Sequence, residues 1–187
     1  MVTLSDIERA RETLSGIATR TPLLMDRKLS DGAAEIYVKA ECLQRAGSFK
    51  IRGAYNKISQ LTDEERSRGV VAGSAGNHAQ GVALAATLNG IKSTIVMPEF
   101  APLTKVVATR DFGATVVLKG ATFDEAVAHS RELQQEHGFT YVHAFDDDAV
   151  IAGQGTIRLE MHEDLPDVDT VVVPIGGGGI ISGRAIA

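Results

Sequence analysis

The 187 residues are enough for one substantial core, or for one small domain and part of another. A hydrophobic share of 44% with charges of both signs reads as an ordinary globular protein, and the net charge of −5 argues against nucleic acid or an anionic membrane as main partner. The single cysteine, Cys42, excludes an internal disulfide, fits a reducing compartment and argues against a structural zinc site.

The start, Met1 to Asp6, has neither the basic region nor the apolar stretch of a secretory leader. Every apolar run is short and broken by charge or glycine, so no membrane span is expected and the location reads as cytoplasmic. Ser5 followed by Glu8 has the capping-box pattern and predicts a helix through about Leu14. Thr21-Pro22-Leu23 forces extended chain, because the residue before proline is pushed out of the helical region. Glu35 to Lys39 alternates and is rich in strand formers. Ile51 to Leu61 predicts a helix with Ala54, Ile58 and Leu61 on one face, and a short helix starts at Thr62.

From Val70 the pattern is regular. Val70-Val71-Ala72, Thr94 to Met97, Thr115 to Leu118 and Thr140-Tyr141-Val142 are apolar runs with no polar alternate face, separated by helical segments Asn77–Leu88, Leu103–Phe112 and Phe123–His137. Strands buried on both faces and alternating with helices predict a mostly parallel sheet with helices on each side. Asp146-Asp147-Asp148 reads as a solvated turn and helix start, with helix from about Gly153 to His162 and a further buried strand at Thr170 to Val173.

Three motifs carry the chemistry. Lys50 stands where a helix begins, behind Gly47-Ser48, so the helix field and any burial disfavour its ammonium form. A neutral amine is what Schiff-base chemistry needs. The ordinary alternative is a solvated lysine at a helix start. Ser74-Ala75-Gly76-Asn77 lies between a strand and a helix; its N–H groups suit a carboxylate and the Asn77 amide can donate to a phenolate-like oxygen, although Ser74 or Asn77 acting as a simple cap explains the same residues. Gly176 to Gly179 follow a strand and precede a helix, so successive N–H groups can converge on a phosphate. Without a following Gly-Lys-Ser/Thr this is not a nucleotide-binding loop. His78, one residue inside its helix, reads as packing or hydrogen bonding at a seam rather than as a general base. His129, His137, His143 and His162 make no ligand spacing, and no metal site is expected.

Amine, phosphate cradle and carboxylate-plus-phenolate site together call for pyridoxal phosphate. The run Lys39 to Gln44 leading into Ser48-Phe49-Lys50-Ile51-Arg52-Gly53-Ala54, then Ser74 to Gly81, then Pro174-Ile175 with the four glycines, resembles the threonine dehydratase (threonine ammonia-lyase) family over the whole chain. That family has the tryptophan-synthase-β-like fold (fold type II) of pyridoxal 5′-phosphate enzymes, with two parallel-sheet α/β domains. The resemblance implies that Lys50 carries the cofactor as a Schiff base and removes the substrate Cα proton, and that Phe49 packs beside the ring. It implies that Asn77 bonds the 3′-oxygen, that Gly176, Gly177, Gly178, Gly179 and Ile180 hold the phosphate, and that Ser74, Ala75, Gly76 and Asn77 receive the substrate carboxylate. A homo-oligomer and a role in isoleucine biosynthesis or threonine catabolism are implied as well.

Family catalytic domains are longer, so the resemblance makes residues 1–52 the first part of a larger domain, 53–149 a small α/β domain, and 150–187 the start of the remainder. The polar residue at the pyridine nitrogen would fall beyond Ala187. Related serine racemases carry a serine at the position of Ala75; alanine has no proton to exchange, which favours elimination over racemisation. The expected activity is conversion of L-threonine, and of L-serine to a degree not fixed by sequence, to a 2-oxo acid and ammonia. The alternatives are an inactive fragment or binding module of such an enzyme, a related serine dehydratase or racemase, and a generic nucleotide-binding domain.

Overall fold

Threonine and aspartate side chains define where half of the α-helices among the described residues begin. The computed structural model describes residues 1–30, 32 and 34–187. Helix α1 (Leu4–Thr13) starts from Thr3, whose hydroxyl accepts from the Asp6 N–H while the Asp6 carboxylate accepts from the Thr3 N–H. The reciprocal box is therefore Thr3 with Asp6, not Ser5 with Glu8. Thr3 is extended and free to bridge, whereas Ser5 is already helical and its hydroxyl accepts from Arg9. Strands β1 (Leu23–Met25) and β2 (Tyr37–Lys39) pair antiparallel as a small ribbon, with the second strand shorter than the alternation from Glu35 predicts. A single 3-10 turn, Glu41–Leu43, leads to helix α2 (Lys50–Ser59).

Helix α3 (Asp63–Arg68) is closed at its start by a Thr62–Glu65 box. The repeating part follows: β3 (Val70–Gly73), α4 (Asn77–Leu88), β4 (Ser93–Met97), α5 (Leu103–Asp111), β5 (Thr115–Leu118), α6 (Phe123–His137) and β6 (Thr140–Tyr141). The four strands form one parallel sheet in the order β5-β4-β3-β6. Val70, Ala72, Ile95 and Met97 face a core shared with α2 and α4, whereas Gly73 faces α6, where a Cβ would meet Ser130 and Val127. Both faces of β3 and β4 are thus covered, as their unbroken apolar runs predict. Strand β5 is the edge, and its Thr115 and Leu118 are exposed rather than buried.

Helix α7 (Asp148–Asp164) begins well before Gly153, because the Asp147 carboxylate accepts from the N–H groups of Ala149 and Val150 and nucleates it there. Its glycines allow close approach to two neighbours. A Cβ on Gly153 would lie 2.6 Å from the Arg52 carbonyl oxygen in α2, and one on Gly155 would lie 2.8 Å from the carbonyl of Gly183 in the last helix, α8 (Gly179–Ile186). A second apolar cluster joins Val2, Ile7 and Ala10 to Ala152. Thr170 to Val173 is not a strand: Val172 is 90% exposed and the segment has no neighbouring ladder to bond to among the described residues. No helix among the described residues is long and apolar enough to cross a membrane.

Candidate active site

In the order β5-β4-β3-β6 the chain moves outward from β3 to β5 and then returns to the other side of β3. The β3/β6 boundary is therefore the point where strand order reverses, and the crevice at the carboxyl ends of such strands is where open α/β sheets hold ligands. Ser74 to Asn77 leave β3 at that edge, and the connector from Val142 to Asp147 leaves β6 beside it.

Lys50 is the first residue of α2 and is half-buried. Its Nζ donates to the Ala144 carbonyl at 2.6 Å and lies 5.3 Å from the centre of the Phe49 ring. No carboxylate pairs with it among the described residues, and burial pushes its pKa below the usual lysine value. The contrast with Lys39 is direct, because that buried lysine meets Glu160 at 2.7 Å. Lys50 is thus placed to lose its proton. Beneath it, Gly81 of α4 would bring a Cβ to 3.0 Å from the Lys50 carbonyl carbon, so the two helices touch through backbone.

Ser74 is buried, and its hydroxyl accepts from the Gly76 N–H at 3.3 Å. Asn77 is exposed at the start of α4 and makes no cap for it; Gly76 holds the cap position with no side-chain bond. His78 is buried, with Nε2 2.8 Å from the Val142 carbonyl. Burial holds its pKa down at about 4.

The glycine run reaches the same place through Phe145. A Cβ on Gly177 would run into the Phe145 ring, and one on Gly179 would come 2.8 Å from the Phe145 carbonyl oxygen. Gly176 and Gly178 face open space, and Gly178 has φ +87°, a conformation that favours glycine. Ile180 lies in the first turn of α8.

Helices α1, α3, α6 and α7 have side-chain caps from Thr3, Thr62, Thr122 and Asp147. Helices α2, α4 and α8, which bear Lys50, Asn77 and Gly179, have none, and neither does α5, which starts after Pro102. The starts of α4 and α8 thus keep free N–H groups and positive dipole ends for an anion, while the first N–H of α2, that of Lys50, donates to Ser48 Oγ at 3.4 Å.

The family described as pyridoxal-phosphate dependent enzyme matches residues 14–187. The chain belongs to that family. Among its curated relatives, the L-threonine ammonia-lyase of Thermotoga maritima is 58% identical over 188 residues, covering 100% of this chain and 47% of that protein. Among solved structures, processed threonine deaminase isoform 2 from Solanum lycopersicum superimposes with a TM-score of 0.94 at 47% identity, over 98% of this chain and 50% of that one. Maize serine racemase gives 0.95 at 40% identity, over 99% and 56%. The chain spans about half the length of the proteins it matches, and its fold is that of the fold type II pyridoxal phosphate enzymes.

The residues fit pyridoxal phosphate on two observations: a lysine amine with no ion-pair partner among the described residues, and two uncapped helix starts, at Gly76 and Gly178, where a Cβ finds open space. Three elements meet the connector: Lys50 at Ala144, the start of α4 through His78 at Val142, and the glycine run through Gly177 and Gly179 at Phe145. No sequence motif marks His143, Ala144 and Phe145, yet they lie just past β6 of the parallel sheet, and the ligand rule for its carboxyl edge points to them. The His143 Nδ1 accepts from the N–H groups of Phe145 and Asp146, which folds the connector into its turn.

Proposed function

We propose that the protein serves pyridoxal-phosphate-dependent deamination of L-threonine, with L-serine as a related substrate, giving a 2-oxo acid and ammonia by α,β-elimination. The observation that carries this reading is Lys50, a half-buried amine without a counter-charge among the described residues, held at 2.6 Å from the Ala144 carbonyl where strand order reverses. The names of two relatives, an L-threonine ammonia-lyase and a threonine deaminase, support the substrate class.

In this reading Lys50 holds the cofactor covalently and takes the proton from substrate Cα, with Phe49 beside the ring. Asn77 donates to the 3′-oxygen. Gly176, Gly177, Gly178, Gly179 and the N–H of Ile180 hold the phosphate, and Ser74, Ala75, Gly76 and Asn77 receive the substrate carboxylate. Bound, the cofactor supplies the electron sink for the Cα electron pair. The two apolar clusters, one around the sheet and one around α1 and α7, support a division into a small domain at 53–149 and a larger one built from 1–52 and 150–187. A cytoplasmic homo-oligomer completes the proposal, and the exposed free thiol of Cys42 accords with a reducing compartment.

The likeness to maize serine racemase favours racemisation as the second reading. Ala75 weighs against it, since its methyl group has no proton to deliver to the opposite face. The test is incubation with pyridoxal phosphate, borohydride reduction and peptide mass analysis, followed by chiral and 2-oxo acid assays with L-threonine. An adduct on Lys50 and 2-oxobutanoate without D-isomer are expected. An adduct on another lysine overturns the site, and a dominant D-isomer overturns the reaction.

A further inference from the structure

Helix α4 reaches Lys50 by two routes. Gly81 presses on its backbone, with a Cβ distance of 3.0 Å to the carbonyl carbon. The other route runs through the connector. His78, in the first turn of α4, meets the Val142 carbonyl at 2.8 Å, and two residues later the Ala144 carbonyl accepts the Lys50 Nζ at 2.6 Å. A carbonyl only accepts, so Nε2 of His78 carries the hydrogen in this contact.

We propose that His78 is a positioning residue for Lys50, fixing the Val142 carbonyl and thereby the stretch of connector whose Ala144 carbonyl receives the amine. The proposal rests on the reading of Lys50 as the cofactor lysine. Val142 is fully buried and its N–H donates to Val71 in β3, so the imidazole bonds to a residue already held by the sheet on its other side. The ring stays neutral at physiological pH because burial disfavours its proton, with Lys50 and His143 as the charged or titratable groups nearest it. His143, in turn, faces Asp146, Asp147, Arg131 and Lys50, and burial lowers its pKa too. Two neutral imidazoles therefore hold the connector, His78 from α4 and His143 from within. If the His78 contact is lost, the connector loosens, water reaches the Lys50 amine, and the burial that favours its neutral form is relieved.

The experiment is competitive trace acetylation of the whole protein across pH, read by peptide mass analysis at Lys50 with exposed Lys92 as internal standard. It needs no cofactor and no turnover, so it stays informative even where Lys50 proves not to carry the cofactor. In His78→Leu and His78→Asn, whose side chains cannot reach Val142, the pH midpoint of Lys50 labelling is expected to rise, lowering its neutral fraction near pH 8 by about threefold or more. In His78→Gln, whose amide nitrogen spans the same contact, the midpoint is expected to stay at the wild-type value. Circular dichroism melting identifies folded variants; should His78→Leu fail to fold, the comparison of Asn with Gln carries the test. An unchanged midpoint in the folded Leu or Asn variant overturns the proposal, even with a lowered melting temperature. So does a Gln variant shifted as far as Asn.

Discussion

Gly81 lies flat against Lys50: a Cβ on the glycine would stand 3.0 Å from the lysine carbonyl carbon and 3.1 Å from its Cβ. Both contacts are to parts of Lys50 that cannot rotate away, so a side chain at Gly81 must push α2 from α4.

Gly81→Ala is therefore expected to cost about 1–3 kcal/mol, the usual penalty of overpacking a close contact. Denaturant titration measures this. The displaced α2 start also lowers the yield of the borohydride-fixed adduct at Lys50. A variant with unchanged stability and full adduct would show that the contact is not tight in solution.

The glycine run gives a second prediction, sharpened by where its members point. Gly178 has φ +87° and faces open space, so Gly178→Val combines backbone strain of roughly 1–2 kcal/mol with a side chain in the proposed phosphate cradle. Pyridoxal phosphate titration should show weakened binding. Gly177→Val differs, because its Cβ runs into the Phe145 ring and must move it; Phe145 is 39% exposed and can swing outward. Weaker binding of pyridoxal phosphate is expected for both, and unchanged affinity in both would make the run a turn only.

The parts legible in the sequence are those set by local chemistry. Thr62 with Glu65, the apolar strands β3 and β4, and the glycines before α8 each announce their element without reference to the rest of the chain. Thr170 to Val173 carries the same strand signal, yet a strand needs a partner, and that segment has none among the described residues. The start of α7 turned on one carboxylate, Asp147, choosing the N–H groups of Ala149 and Val150. The site was legible as three motifs but not as an assembly, because Ala144 and Phe145 act through a backbone carbonyl and ring packing rather than through a reactive side chain. Arg52 shows the same gap: two residues after Lys50, it is a deeply buried charge, and spacing gave no sign of its partners.

Those partners supply the third prediction. Arg52 is 1% exposed and bonds Glu41 at 2.9 Å and Glu160 at 2.6 Å, joining α2 to the 3-10 turn and to α7. Burial alone would lower its pKa, but hydrogen bonds to the two carboxylates outweigh that and raise it. Arg52→Met would leave Glu41 without its guanidinium partner and Glu160 with only Lys39. Removing one member of such a buried pair costs about 3–5 kcal/mol. Equilibrium unfolding checks the figure, and a loss under about 1 kcal/mol would mean that water reaches the cluster.

The last prediction follows from His78. Its imidazole is buried and its pKa is held at about 4, against an ordinary value of 6.5 in the unfolded chain. Above pH 6.5 both states are neutral at this position and the burial of the ring carries no penalty linked to protons. Between about 6.5 and 4 the unfolded chain binds a proton that the folded protein refuses, so stability falls as pH falls. The full effect is on the order of 3 kcal/mol, reached as pH drops through the folded value. His143 is shifted the same way and adds to the loss, since its Nδ1 cannot accept from Phe145 and Asp146 once protonated. Urea unfolding at pH 7, 6, 5 and 4.5 is expected to show the decline, with a shallower slope in His78→Gln, which keeps the Val142 contact but does not titrate. Equal slopes in the two proteins would show that His78 takes up its proton in the folded state as readily as in the unfolded one.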